Sequence, residues 1–269
     1  MEKLLEVCVD SYTSAMAAIQ GGADRLELCS ALSVGGLTPS AALVHQIRLV
    51  SDIRVRCLMR PRAGDFLYTK EEISQMVREM EALKAAGTSG FVIGCLTPEG
   101  ELDEIAMAPL LEAAKGFGLT LHRCIDVSRN LGETYQKTAG LGFDTVLTSG
   151  GAGKCLDGMA EIGKLLALQE ETGGPQVLIG AGVNARVIET FREAFPQAEA
   201  FHMSGKKEVE SGMVFRRKGV PMGVPGLDEW HIPVTDRDEI RQAKEALYRA
   251  TPHNCVCALR RIFSANSAV

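Results

Sequence analysis

The sequence predicts one α/β domain, a (β/α)8 TIM barrel with a long loop after the eighth strand and a C-terminal tail. Three observations predict it. Eight short runs rich in Val, Ile, Leu and Cys alternate with longer amphipathic stretches. The runs begin roughly 28 residues apart, room for one strand, one helix and two short connections. The 269 residues of the chain match the ~250 typical of one such barrel. A doubly wound open sheet is the competing arrangement. Eight evenly spaced strands rarely stay open, however, and no G-x-G-x-x-G fingerprint follows the first run.

Each element has its own local signal. Residues 4–9 are the first strand; a helix follows from Ser11, with Ala15, Ala18 and Ile19 on one face and Gly21-Gly22 as its stop. Residues 24–29 are the second strand, and Thr38-Pro39-Ser40 opens the next helix, with Pro39 suited to a first turn. Residues 55–59 form the third strand, and a long charged helix over 70–86 is closed by Gly87. Strands four and five fall at 90–96 and 119–123, with helices over 103–117 and from about 131. Strands six, seven and eight fall at 145–148, 176–179 and 200–203, separated by helices over 157–171 and 184–195. Residues 204–235 are rich in Gly and Pro without a clear period. That is too long for an ordinary connection, and reads as a functional or appended flap. A closing helix over 236–250, capped by Thr235 or Asp236, completes a barrel domain of residues 1–250. Residues 251–269 are a weakly patterned tail, expected to be poorly ordered.

Composition narrows the function classes. The chain is 46% hydrophobic and 23% charged with a net charge of −5, which argues against nucleic-acid or anionic-membrane partners, since both require basic surface. No apolar run reaches the ~18–20 residues of a membrane span. The N-terminus enters patterned sequence at once, so a cytoplasmic protein without a secretory signal is expected. The eight cysteines then read as free thiols, because disulfide frameworks belong to short secreted chains. The one close pair is Cys255-Val-Cys257, in the tail.

In a barrel of this kind the site lies at the C-terminal ends of the strands. Alternation in the first strand sets Glu6, Cys8 and Asp10 opposite Leu5, Val7 and Val9. The apolar set packs on helices, so the carboxylates and the thiol turn inward. The second strand repeats the pattern with Glu27 and Cys29. Acids, arginines and histidines stand at most other strand ends, and such groups are costly to bury unless paired. His122, Asp126 and Glu27 are the acid–base candidates. A structural ion pair between Glu27 and Arg60 is the plainer alternative for that carboxylate. Arg60, Arg62 and Arg123 supply positive charge for a carboxylate or phosphate. Ser149, Gly150, Gly180 and Gly182 are candidates for backbone contacts to an anion, or for tight turns alone. Cys8, Cys29 and Cys124 come from strand ends, and thiolates suit Cu(I).

Several ordered motifs resemble the CutC family. They are Glu6-Val-Cys8-Val-Asp10-Ser11, the run from Gly21 through Cys29 and Gly35-Gly36-Leu37-Thr38-Pro39-Ser40. Further along stand the run from Arg60 through Tyr68, His122-Arg123-Cys124-Ile125-Asp126, Leu147-Thr148-Ser149-Gly150 and Ser211-Gly212-Met213. The resemblance implies a cytoplasmic TIM barrel described as a Cu(I)-binding copper homeostasis protein. It also implies a homo-oligomer, a dimer being favoured. Family copper ligands carry over only to Cys29, within its Glu-Leu-Cys motif. The chain departs from the family where Cys124-Ile125 replaces Ala-Phe, where Ala181 interrupts a run of three glycines, and where Met203 replaces a cysteine of some relatives.

Two functions follow as expectations. One is copper handling through Cys29 with Cys8 or Cys124. The other is an enzyme acting on a small phosphorylated or carboxylated metabolite.

Overall fold

The computed structural model describes residues 2–217, 219–220, 222–223 and 228–249. Eight parallel strands close into a barrel in the order of the chain. They are β1 (Leu4–Val9), β2 (Arg25–Leu28), β3 (Arg54–Leu58), β4 (Gly90–Ile93), β5 (Gly118–Leu121), β6 (Thr145–Thr148), β7 (Gln176–Ile179) and β8 (Ala200–Met203). The helices are α1 (Tyr12–Gly21), α2 (Ala41–Arg48), α3 (Lys70–Ala85), α4 (Glu104–Ala113), α5 (Leu131–Gly140), α6 (Met159–Thr172), α7 (Ala185–Ala194) and α8 (Arg237–Tyr248). A short 3-10 helix, Arg123–Val127, follows β5. The expected (β/α)8 barrel is therefore the fold.

Side-chain caps place most helix starts. Ser11, Ser40, Asp103, Asn130, Asn184 and Asp236 each accept a backbone N–H of the first turn. Thr69 and Glu72 form a reciprocal capping box. Pro39 precedes the cap Ser40 instead of sitting in the first turn of α2. Of the two residues expected to cap α8, Asp236 does so.

The stretch after β8 differs from the unpatterned flap expected of it. Lys206–Glu210 (β9) and His231–Thr235 (β10) pair antiparallel as a two-stranded arm, with Lys206 opposite Thr235. The β9 side chains are all exposed. With no buried face the strand leaves no hydrophobic alternation to read, and its partner lies twenty residues away. The tail and its Cys255 and Cys257 lie outside the described residues.

Alternation inside the barrel positions the site. Leu5, Val7 and Val9 join the large core beneath the helices. The inward positions of β1 read Leu4, Glu6, Cys8. Leu4 meets Leu147, Leu178 and Ala200 in one interior cluster, and Cys8 meets Cys29, Leu58 and Val92 in another. The layer at Glu6 is polar and internally paired. Glu6 bonds Arg25 and accepts from His202 Nδ1 at 2.8 Å. Arg56 reaches Thr120 Oγ1 at 2.5 Å and Asp144 Oδ1 at 2.7 Å. Gly118 is needed for that crossing, since a Cβ there would stand 2.5 Å from Arg56 Nη2.

Candidate active site

A cleft of about 360 Å³ opens at the C-terminal end of the barrel. Cys8, Glu27, Arg60, Phe66, His122, Arg123, His202, Ser204 and Lys206 line it. Strand register assembles its floor: Cys8 pairs with Glu27, and Glu6 pairs with both Arg25 and His202. One ligand-type atom each from Cys8, Glu27 and His202 lie within 4.8 Å of one another. His202 Nε2 stands 3.8 Å from Glu27 Oε2, and the Cys29 thiol donates to that same oxygen at 3.4 Å.

Two buried glutamates flank His202, and their environments push them apart. Burial works to raise Glu6, but Arg25 and the hydrogen bond from His202 outweigh it and hold the carboxyl at about 2. Burial raises Glu27, and His202 only partly offsets this. Burial alone would lower His202, but Cys8, Glu27 and the bond to Glu6 lift it well above the usual imidazole range. Glu6 is thus a fixed carboxylate, while Glu27 and His202 interact electrostatically across 3.8 Å, each shifting the other.

The opposite wall is cationic. Arg60 is 9% exposed. Its guanidinium donates to the carbonyls of Val34, Gly36 and Gly64 at 2.9–3.0 Å. Among the described residues no carboxylate lies within ion-pair distance of it, and its Nε has no partner. Phe66 lies beneath it, with the guanidinium carbon 5.4 Å from the ring centroid. The same ring stands 4.6 Å from His122. Burial, and then Arg60, push His122 down to about 3, so its imidazole is neutral.

The CutC family pattern matches residues 3–207, all eight barrel strands through the start of β9. The chain belongs to the CutC family. It is 40% identical over 248 residues to the family protein CutC of Porphyromonas gingivalis, covering 92% of this chain and 99% of that protein. It is 38% identical over 245 residues to the family protein CutC of Aliivibrio fischeri, covering 90% and 98%. The crystal structure of CutC from Streptococcus agalactiae, described by name as a copper homeostasis protein, matches with a TM-score of 0.70 at 25% identity. That match covers 75% of this chain and 98% of the other.

Against this CutC frame, the residues expected at the site separate into three groups. Glu27, Cys8, Arg60, His122 and Arg123 line the cleft. Glu27 does not pair with Arg60; it meets His202 and Cys29 instead. Asp126 and Ser149 stand beside the cleft in a network that ties the β5 and β6 loops together. The Asp126 carboxylate accepts from Arg123 Nε at 2.7 Å, Thr148 Oγ1 at 2.6 Å, Ser149 Oγ at 2.9 Å, and the N–H groups of Ser149 and Gly151. The third group lies elsewhere. Arg62 is bound by Glu72 at 2.6 Å and Asp65 at 2.9 Å in the loop after β3. Gly150 and Gly180 donate their N–H groups to Thr148, and neither they nor Gly182 line the cleft.

The three thiols do not converge. Cys8 and Cys29 share the interior cluster, whereas Cys124 belongs to the outer core. Burial pushes Cys29 and Cys124 well above the usual thiol range, with Glu27 adding to the effect on Cys29 and Cys95 to that on Cys124. His202 is the residue missing from the sequence reading. Its signal is the same alternation that singles out Glu6: Phe201 and Met203 join the outer core, so the histidine between them faces inward.

Proposed function

We propose that the chain is an enzyme that acts on a small carboxylated or phosphorylated metabolite by acid–base chemistry. One juxtaposition carries this reading. The buried Arg60 guanidinium, which no acid among the described residues neutralises, shares a cleft with the electrostatically coupled Glu27 and His202. An uncompensated buried cation is costly, and an anionic ligand supplies the missing charge. Glu27, with its raised pKa, serves as the group that takes and returns a proton, and His202 holds the balancing charge. Lys206 adds positive charge at the rim, beside Arg123, which is itself paired with Asp126. Calorimetry with small carboxylates and phosphates tests the anion site. Arg60→Gln is expected to lower affinity at least about tenfold, the value of a charged hydrogen bond. Equal affinity in the variant overturns the reading.

A second reading, copper(I) handling, is supported by the convergence of Cys8, Glu27 and His202. The donor set is one thiol, one carboxylate and one imidazole. Cu(I) prefers an all-soft set, so the fit is partial. Competition of Cu(I) against a chelator, in wild type, Cys8→Ser and Cys29→Ser, tests it; weak binding indifferent to both substitutions removes it. Either reading takes the protein as a cytoplasmic homo-oligomer, a dimer being favoured. The six buried free cysteines and the exposed Val214, Phe215 and Met222 of the arm support that setting. No helix among the described residues is long and apolar enough to cross a membrane.

A further inference from the structure

His122 has two ring nitrogens in different situations. Its Nδ1 caps the 3-10 helix Arg123–Val127, accepting the Cys124 N–H at 3.2 Å. A nitrogen that accepts from an N–H carries no proton, so the single proton of the neutral ring lies on Nε2. That Nε2 is buried and has no hydrogen-bond partner among the described residues. The ring nevertheless lines the cleft, on the wall where Phe66 contacts both it and Arg60. Its position is tightly set: a Cβ at Gly94 would stand 2.8 Å from His122 Cε1. Buried donors are almost always satisfied, and one left open beside an open cationic site points to a ligand oxygen. Burial and Arg60 keep the ring from taking a second proton, so it can donate a hydrogen bond without becoming an acid.

We propose that His122 is a catalytic residue, a neutral Nε2–H donor of fixed tautomer that binds the carbonyl or enolate oxygen of a substrate whose anionic group Arg60 holds. The substrate class is then a small acid bearing a carbonyl near its anionic group, of which a 2-oxo acid is the simplest case. This inference rests on the enzyme reading above and adds the electrophile to it. The ionised form of Glu27, a stronger base for its raised pKa, takes a proton from the carbon next to the carbonyl. The C–H electron pair moves to the carbonyl oxygen, forming an enolate. The Nε2–H bond stabilises that oxygen while the proton stays on nitrogen. In the return step Glu27 gives its proton back to carbon, and no other reactant is consumed.

His122→Asn separates the two roles of the ring. Asparagine keeps an acceptor near the Nδ1 position and is a favoured helix cap, but it lacks the Nε2 donor. The probe is oxalate, a planar dianion that resembles the enolate of a 2-oxo acid, measured by calorimetry. The variant is expected to bind it about ten- to a hundredfold more weakly, the range for a hydrogen bond to a charged acceptor. In wild type, nitrogen-15 NMR of the His122 ring should show Nε2 protonated and Nδ1 bare, with the Nε2–H signal shifting on addition of oxalate. An Nδ1-protonated ring overturns the proposal whether or not the variant folds. Unchanged affinity in His122→Asn alongside a loss in Arg60→Gln overturns the role of His122 and leaves the anion site standing. Absence of oxalate binding by the wild type at millimolar concentration overturns both.

Discussion

Asp126, in the 3-10 helix after β5, and Glu27, on β2, both carry buried carboxyls at the barrel mouth, yet they stand in opposite conditions. On the β5–β6 side, Asp126 accepts from a guanidinium, two hydroxyls and two backbone N–H groups. On the β1–β2–β8 side, Glu27 meets one thiol at 3.4 Å and one imidazole nitrogen at 3.8 Å. The first carboxylate has no acceptor capacity left and holds two loops together. The second is poorly solvated by the protein and tends to keep its proton. Reactivity follows what remains unsatisfied: a base must have a lone pair facing the substrate, and a well-networked acid has none. Arg123 and Arg60 repeat the contrast: the first pairs with Asp126, and the second, among the described residues, bonds carbonyls alone.

The sharpest way to break this comparison is Glu6→Gln. That change removes the carboxylate serving both Arg25 and His202 and leaves buried charge uncompensated. A loss of about 3–5 kcal/mol is expected in denaturant unfolding at neutral pH; a loss below about 1 kcal/mol would mean the polar layer is not internally paired. Asp126→Asn should cost about 2–3 kcal/mol, because its amide turns a donor toward donors and leaves Arg123 without its partner. Proteolysis should then start in the loops after β5 and β6. A near-neutral result would place Asp126 among the available acids after all.

Glu27→Gln should have the smallest effect at neutral pH, within about 1 kcal/mol, because the amide keeps the shape of the carboxyl and carries no charge to desolvate. Its main effect is on pH dependence. The folded Glu27 carboxyl is raised above its ordinary value of 4.5. Its contribution to stability is therefore fully present below 4.5 and lost as pH rises through the folded value. Glu6 has the reverse sign: it is depressed from 4.5 to about 2, so its contribution is present above 4.5 and lost as pH falls toward 2. Urea unfolding across pH should show the high-pH loss flattened in Glu27→Gln and the low-pH loss retained. Identical profiles for wild type and variant would remove the distinction between the two glutamates.

Much of the site was legible from period alone. The two-residue alternation of β1 and β2 turns Glu6, Cys8 and Glu27 inward once Leu5, Val7, Val9, Leu26 and Leu28 are assigned to the helix side. His202 obeys the same rule and was equally readable between Phe201 and Met203. Arg62 shows where composition misleads. It shares the Arg-Pro-Arg motif with Arg60, but two intervening peptide units send its guanidinium to Glu72 at the start of α3. The separation of Cys124 from Cys8 and Cys29 is also invisible in sequence, where all three read as strand-end residues; the fold puts Cys124 in the 3-10 helix after β5.

The sequence by itself determined the eight-fold barrel, the approximate helix bounds and which positions of β1 and β2 face the interior. Those depend on local periodicity and on side chains reaching their own backbone a few residues away. Only the tertiary structure decided which polar groups neutralise one another. Glu6 meets His202 across 196 positions of sequence, and Asp126 meets Ser149 across 23. Barrel closure fixes those partners, and among the described residues it leaves Arg60 Nε and His122 Nε2 without a hydrogen-bond partner. Whether a buried charge is chemically available depends on partners distant in the chain, so the candidate chemistry emerged only with the fold.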